Sequence, residues 1–270
     1  MERPRLVATD VDGTLLGPGD APSARTRAVL GRMAEAGVPL VLATGRPPRW
    51  VPAVCDAVGV HGLVVAANGA VLYDAAADRV LEAATVDGDT LDAVVAGLRE
   101  AVPGCGLAVE RVTASAFVRP REQFVSEAAY VHAWPNPDHD EVPSSALTHE
   151  PVIKVLARHP GLSSDVMAAA VRERIGHLVD VTFSASGGLV ECSRRGVTKA
   201  TALAAAAGRM GVDAADVVAF GDMPNDLAML SWAGHGVGMA NAHPDVLAAV
   251  DEVTASNLDE GVASVLERWF

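Results

Sequence analysis

The run Leu6-Val7-Ala8-Thr9, followed at once by Asp10-Val11-Asp12-Gly13-Thr14, constrains this chain more than any other stretch. A short apolar run of this kind reads as a strand buried on both faces. Period-two alternation sends the side chains of Asp10 and Asp12 the same way, toward one pocket. Gly13 permits the turn out of the strand, and Thr14 carries a hydroxyl donor. Two neighbouring acids repel unless a cation joins them or one holds a proton. The first outcome suits a hard metal and the second a general acid. An Asp-Gly turn after a strand is the plainer alternative for the same residues.

The pattern then repeats. Ser23 is a candidate N-cap for an amphipathic helix over 24–36, with Val29, Leu30 and Met33 on one face and Gly37 at its end. Val38–Ala43 is a second strand-length run and ends in Thr44-Gly45-Arg46. Pro47 and Pro48 open a helix through Trp50, Val54 and Val58. A third run, Leu63–Ala67, ends in Asn68-Gly69. Strand–helix alternation with continuous apolar strands predicts an α/β fold, a Rossmann-like parallel sheet with helices on both faces. Ligands of such sheets bind at the carboxyl ends of the strands, where Asp10, Asp12, Thr44 and Asn68 all fall.

From about residue 84 the character changes. A helix is expected at 88–101, strand-like segments at 106–118, 153–156, 178–183 and 188–192, and a helix near 162–175. This reads as an α+β unit, 85–191, inserted into a core made of 1–84 and 192–270. The alternation returns at Gly196-Val197-Thr198-Lys199, with an alanine-rich helix to 210. A strand at 217–220 ends in Gly221-Asp222-Met223-Pro224-Asn225-Asp226, and another ends in Ala240-Asn241-Ala242. Short helices are expected at 244–250 and 259–269.

A formal net charge of −13 argues against nucleic acid or an anionic membrane surface as partner, but not against a small anion held beside a divalent ion. Cys55, Cys105 and Cys192 are odd in number and far apart, which points away from a disulfide framework and toward a reducing compartment. Met1-Glu2-Arg3-Pro4-Arg5 does not lead into a signal-peptide core, and no stretch reaches membrane-spanning length without charges. The expectation is a cytoplasmic protein, monomer or homodimer.

Gathered at one sheet edge, Asp10, Asp222 and Asp226 offer oxygen-only ligation, which suits magnesium. Lys199 and Thr44 can contact the oxygens of a phosphoryl group. That leaves Asp10 as a nucleophile aimed at phosphorus and Asp12 as the acid for the leaving oxygen.

These residues resemble the four motifs of the haloacid dehalogenase-like superfamily, namely Asp10-Val11-Asp12-Gly13-Thr14, Thr44-Gly45-Arg46, Lys199 and Gly221-Asp222 with Asp226. Asn68-Gly69-Ala70, Gly196-Val197 before Lys199, Asn225-Asp226 and Met239–Ala242 resemble its Cof-type branch, in which an α/β cap lies where 85–191 lies here. The resemblance implies that Asp10 is nucleophile and magnesium ligand. It makes Asp12 the acid/base, ligating through its backbone carbonyl, and Asp222 and Asp226 the rest of the metal site. Thr44, Lys199 and Asn225 are implied to hold phosphate, and Arg46 and Asn68 to face substrate. It implies a magnesium-dependent phosphatase of a small phosphorylated metabolite, sugar phosphates first, acting through an aspartyl phosphate. A phosphomutase or phosphotransferase, or a non-catalytic phosphate-binding regulator, are the alternatives. Ala200 after Lys199 and Met223-Pro224 depart from the usual pattern without removing a catalytic group.

Outside these motifs, His132–Asp140 reads as a polar loop rather than a second metal site. Arg194-Arg195 reads as a solvated hinge pair, and Lys154 as snorkelling or contacting substrate.

Overall fold

A computed structural model describes residues 2–17, 19–133, 135, 136 and 138–270. Met1, Pro18, and Trp134 and Pro137 in the polar loop at 132–140, lie outside the described residues.

The chain opens with β1 (Leu6–Thr9), α1 (Ala24–Glu35), β2 (Leu40–Ala43), α2 (Val51–Val58), β3 (Leu63–Ala66), β4 (Val71–Asp74) and β5 (Arg79–Ala83). It continues through α3 (Gly88–Ala101), β6 (Gly106–Glu110), α4 (Pro120–Gln123), β7 (Phe124–Ser126), β8 (Asp140–Glu141) and β9 (Lys154–Arg158). Next come α5 (Ser164–Ile175), β10 (Val179–Thr182) and β11 (Leu189–Arg194). The last third holds α6 (Lys199–Met210), β12 (Val217–Gly221), α7 (Leu227–Trp232), β13 (His235–Gly238), α8 (Pro244–Leu247), β14 (Glu252–Val253) and α9 (Gly261–Leu266).

Two compact units result, 1–81 with 198–270, and 82–197. The division expected at 191/192 falls later because β11 stays paired with its neighbours up to Arg194, opposite Val179.

In the first unit the strand order is β14-β13-β12-β1-β2-β3-β4-β5. Pairing is parallel from β14 to β3 and antiparallel from β3 to β4. That hairpin is absent from the sequence-based reading, which stops at Asn68-Gly69. The reversal is made by Ala67, Asn68 and Gly69, all at positive φ (50°, 57° and 98°). Helices cover both faces of the sheet. On one, Leu6, Ala8, Val41, Ala43 and Val65 pack with Leu203, Ala206 and Ala207 of α6 and Met229 and Leu230 of α7. Each large aliphatic side chain removed from water here contributes about 1.5–3 kcal/mol. Local signals agree with this packing. Ser23 caps α1 by accepting from the Thr26 amide, and Thr198 and Thr201 form a reciprocal capping box on α6.

The inserted unit is a sheet of order β10-β11-β9-β6-β7-β8 with α3 and α5 side by side. The strand expected over 106–118 ends at Glu110. Beyond it the backbone bonds to side chains instead of a ladder: Gln123 Nε2 donates to the Val118 carbonyl at 2.7 Å, and Thr113 Oγ1 to that of Ser115 at 2.7 Å. Lys154 does not snorkel. It is buried, with Nζ 2.5 Å from Glu191 Oε1 on the neighbouring strand. His132 lies in the polar loop, half-buried, with its ring packed against those of Tyr130 and His139 at centroid distances of 5.1 and 4.4 Å. All three cysteines are free and buried. No helix among the described residues is long and apolar enough to cross a membrane.

Candidate active site

Parallel pairing brings the polar ends of separate strands to one edge. Asp10 leaves β1 with its amide bonded to the Phe220 carbonyl (2.9 Å), and Thr44 leaves β2 bonded to that of Val65 (2.8 Å). Asp222 follows β12, and Asn241 lies just past β13. The chain turns out of β1 through a kinked helical turn, Val11–Leu15, in which Gly13 has φ 78°. A Cβ on Gly13 would collide with the Asp222 carboxylate, so only glycine lets the two loops approach this closely.

Asp10, Asp222 and Asp226 form the centre. Each presents a carboxylate oxygen within 4.8 Å of the others, and all three are buried. Lys199 is delivered by the first turn of α6. Its Nζ lies 2.5 Å from Asp10 Oδ1 and 2.6 Å from Asp226 Oδ1, fully shielded from solvent. The second oxygen of Asp226 accepts the amides of Asp222 and Met223, both at 3.0 Å. Both oxygens of Asp226 are thus engaged, while Asp10 is hydrogen-bonded through Oδ1 alone among the described residues. Thr14 Oγ1 donates to Asp222 Oδ1 at 3.0 Å.

Burial sets the electrostatics. It pushes the Asp10 pKa well above the usual carboxylate range, against the pull of Lys199 and with the push of Asp226 and Asp222. Burial raises Asp222 to about 7, with the Asp226 charge adding to it and Thr14 and Lys199 opposing. For Lys199, burial pulls down, but Asp10 and Asp226 outweigh it and hold the ammonium above its ordinary value. Three crowded acids against one ammonium leave a negative excess that a divalent cation relieves. Hard oxygen donors fit such an ion. Asn225 Oδ1 is a buried acceptor with no hydrogen-bond partner among the described residues.

The other expected residues pair among themselves. Asn225 Nδ2 donates to Asn68 Oδ1 at 3.0 Å. Thr44 is buried, and its Oγ1 accepts the Arg46 amide at 3.0 Å, so its own proton remains to donate. Asp12 is not one of the three clustered carboxylates, although its charge adds to the upward push on Asp222. The Asp12 side chain is 56% exposed, and both its oxygens meet the Arg46 guanidinium: Nε to Oδ2 at 2.9 Å and Nη2 to Oδ1 at 2.5 Å. The strand alternation expected to send Asp10 and Asp12 toward one pocket does not run through both residues. The backbone leaves extended pairing at Val11, so the period of two no longer applies there.

Sequence reasoning missed two contributors. Asn241 Nδ2 donates to the Gly13 carbonyl at 2.9 Å and lies 3.5 Å from Asp222 Oδ2. Its position just past a core strand was the available signal. Asp20, 3.1 Å from Arg46 Nη2, carried none.

A family model for haloacid dehalogenase-like hydrolases matches residues 7–266. The chain belongs to that family. It is a phosphatase of the haloacid dehalogenase-like type. A phosphoglycolate phosphatase from Methanothermobacter thermautotrophicus is 30% identical over 267 residues, covering 98% of each chain. An HMP-PP phosphatase from Cronobacter sakazakii is 28% identical, over 98% of this chain and 95% of the relative. Among solved structures, a haloacid dehalogenase-like hydrolase from B. subtilis superposes with a TM-score of 0.80 at 22% identity, over 98% of this chain and all of the other. A subclass IIB sugar phosphatase also gives 0.80, at 19% identity and 98% coverage of each. At these identities the two structures speak for the fold.

Proposed function

We propose that this haloacid dehalogenase-like phosphatase hydrolyses the phosphate monoester of a small metabolite, a sugar phosphate foremost, with magnesium and through an aspartyl phosphate on Asp10. The observation that carries the reading is the state of Asp10: buried, with Oδ1 bonded to Lys199 at 2.5 Å and no hydrogen bond on Oδ2 among the described residues. A carboxylate held so can attack in line only through its remaining oxygen.

Asp10 Oδ2 forms a bond to phosphorus while the ester P–O bond breaks. The electron pair of that bond passes to the leaving oxygen, which takes its proton from Asp12. In the second half a water oxygen bonds to phosphorus, the P–O bond to Asp10 breaks, and its electron pair returns to the carboxylate. The water proton passes to Asp12, which restores the starting state. Lys199, Thr44 and Asn225 hold phosphoryl oxygens, with Lys199 keeping Asp10 in place at the same time. Asn68, bonded to Asn225, orients that amide at the substrate side. Asp10, Asp222 and the Asp12 backbone carbonyl would hold the metal, with Asp226 fixing the loop and completing the shell. When bound, magnesium neutralises charge on the phosphoryl oxygens.

We assign substrate choice to the inserted unit, 82–197, a separate body on which a lineage can vary recognition without disturbing the catalytic edge. The relatives that act on phosphoglycolate and HMP-PP support a small phosphorylated substrate.

The test is release of inorganic phosphate from a panel of phosphorylated metabolites, with magnesium and with chelator, by the native chain and Asp10→Asn. Magnesium-dependent release that the substitution abolishes is expected. Release that survives Asp10→Asn, or no release from any member, refutes the reading.

A further inference from the structure

We propose that Arg46 is a positioning residue for Asp12 rather than a binding residue for substrate, and that it aims the Asp12 carboxylate at the leaving oxygen. The inference rests on the phosphatase reading given above. Three observations carry it. Both terminal donors that Arg46 presents on one side, Nε and Nη2, meet the two oxygens of Asp12, at 2.9 and 2.5 Å, so the planar fork fixes the plane of the carboxylate as well as its place. The same Nη2 also reaches Asp20 Oδ1 at 3.1 Å, which gives the guanidinium a second carboxylate partner. Finally, the Asp12 side chain is 56% exposed while that of Arg46 is 20% exposed, so the arginine is the fixed member and the aspartate the one that needs fixing.

An exposed aspartate with no second partner would sample several rotamers, and proton transfer requires one of them. Arg46 is well placed to hold it. Its backbone amide is tied to the Thr44 hydroxyl at 3.0 Å, and Ala67 donates its amide to the Arg46 carbonyl at 2.9 Å. Thus Asp12 at the end of β1 is oriented from the end of β2, through a side chain whose own backbone is bonded on both sides. With Nε and Nη2 engaged by two carboxylates, the edge of the guanidinium that forks onto a carboxylate is already taken, and only Nη1 keeps its N–H groups uncommitted among the described residues. A lysine in its place would supply charge without the fork.

The positioning role and a binding role differ in what they do to kcat and KM, and in which substrates feel them. The experiment uses the full chain with magnesium, two esters and three variants. p-Nitrophenyl phosphate expels a phenolate that needs no proton, whereas glycerol phosphate expels an alkoxide that does. Arg46→Ala is expected to lower kcat for glycerol phosphate by about 10²–10⁴-fold, the usual contribution of general acid catalysis, with KM little changed. For p-nitrophenyl phosphate the loss in the phosphorylation step is expected to stay below about tenfold, read as the burst of nitrophenolate in a single turnover. Added guanidinium ion should restore part of the lost rate, and Arg46→Lys should recover less than half of it on a logarithmic scale. Asp20→Asn should show the same substrate pattern in weaker form, and guards against a failure of Arg46→Ala to fold. A rise in KM for both esters with equal losses in kcat/KM would make Arg46 a substrate contact and overturn the proposal. So would a crystal structure of Arg46→Ala with Asp12 unmoved and active. A native chain that releases phosphate from neither ester nor any member of the metabolite panel would instead refute the phosphatase reading, and the role of Arg46 with it.

Discussion

Lys199 Nζ sits 2.5 Å from Asp10 Oδ1, at full burial, across 189 residues of sequence. The same ammonium is 2.6 Å from Asp226, so one cation balances two acids while a third, Asp222, stands beside them. Removing it leaves buried carboxylates without a counter-charge, which costs about 3–5 kcal/mol in comparable pairs. Lys199→Met is therefore expected to unfold several degrees earlier than the native chain when magnesium is absent. Saturating magnesium should recover part of the difference, since it replaces the missing positive charge. Turnover should fall by at least about 10²–10³-fold with or without that recovery. Thermal unfolding with and without metal, followed by phosphate release, measures both.

Asp222 gives the metal site a pH dependence. Burial lifts its pKa from 3.8 to about 7 in the metal-free chain. Between about pH 4 and pH 7 the folded state then holds a proton that the unfolded state has lost. Metal-free stability should accordingly fall as pH rises through this window. Magnesium must displace that proton, so its affinity should run the opposite way, tightening by up to about tenfold per pH unit below 7 and levelling above it. Titration calorimetry in buffers of different ionisation enthalpy reads both the affinity and the proton released. An affinity flat between about pH 5.5 and 7.5 would show that Asp222 is already ionised.

What could be read from the chain and what could not divide along physical lines. Asp10, Thr44, Asn68 and Asp222 were legible because each ends a continuous apolar run, and a parallel sheet must bring such ends to one edge. Lys199 could be read as a phosphoryl contact, but nothing in an alanine-rich helix says that its first residue is buried between two acids. The antiparallel return of β4 was missed because it depends on positive φ at Ala67, which its composition does not signal. The turn that carries Asp12 was not legible for a related reason. β1 ends at Thr9, and Val11 already belongs to a kinked helical turn. In the inserted unit, Lys154 is buried by its partner Glu191, 37 residues away, and no local pattern reports a partner at that distance.

The cysteines offer a test of the core that is independent of catalysis. Burial raises Cys55 to about 11, with the nearby Asp56 charge adding to it, and raises Cys192 to about 12, with Glu191 adding and Arg172 opposing. It raises Cys105 as well, against the pull of Arg99. Thiolate is the reactive form, so at pH 8 less than about one part in a thousand of Cys55 is available even before access is considered. The native chain should resist a thiol-labelling reagent at all three positions for many minutes and accept three labels once unfolded. Mass spectrometry counts them. Rapid labelling of Cys192 in the folded protein would mean that β11 opens on that timescale.

Gly69 is where the hairpin and the lysine helix are built against each other. Its φ of 98° lies where only glycine is at ease, and a Cβ there would run into the carbonyl oxygen of Thr198, the residue that caps α6. Gly69→Ala thus meets two obstacles at once, a strained backbone and a collision, and is expected to cost at least about 1–3 kcal/mol. Relief must come from moving either the Asn68 turn or the first turn of α6. The first motion shifts Asn68 and with it Asn225; the second shifts Lys199 away from Asp10. Either should lower kcat, by about 10²-fold if the displacement approaches 1 Å. Gly31→Ala is the natural control, since it lies exposed within α1 with nothing near the added carbon, and should instead stabilise by about 0.5–1 kcal/mol at unchanged kcat. Chemical denaturation and steady-state rates on the two variants separate these outcomes. A Gly69→Ala protein as active and as stable as the native chain would mean that α6 and the turn after β3 are less closely seated than these distances require.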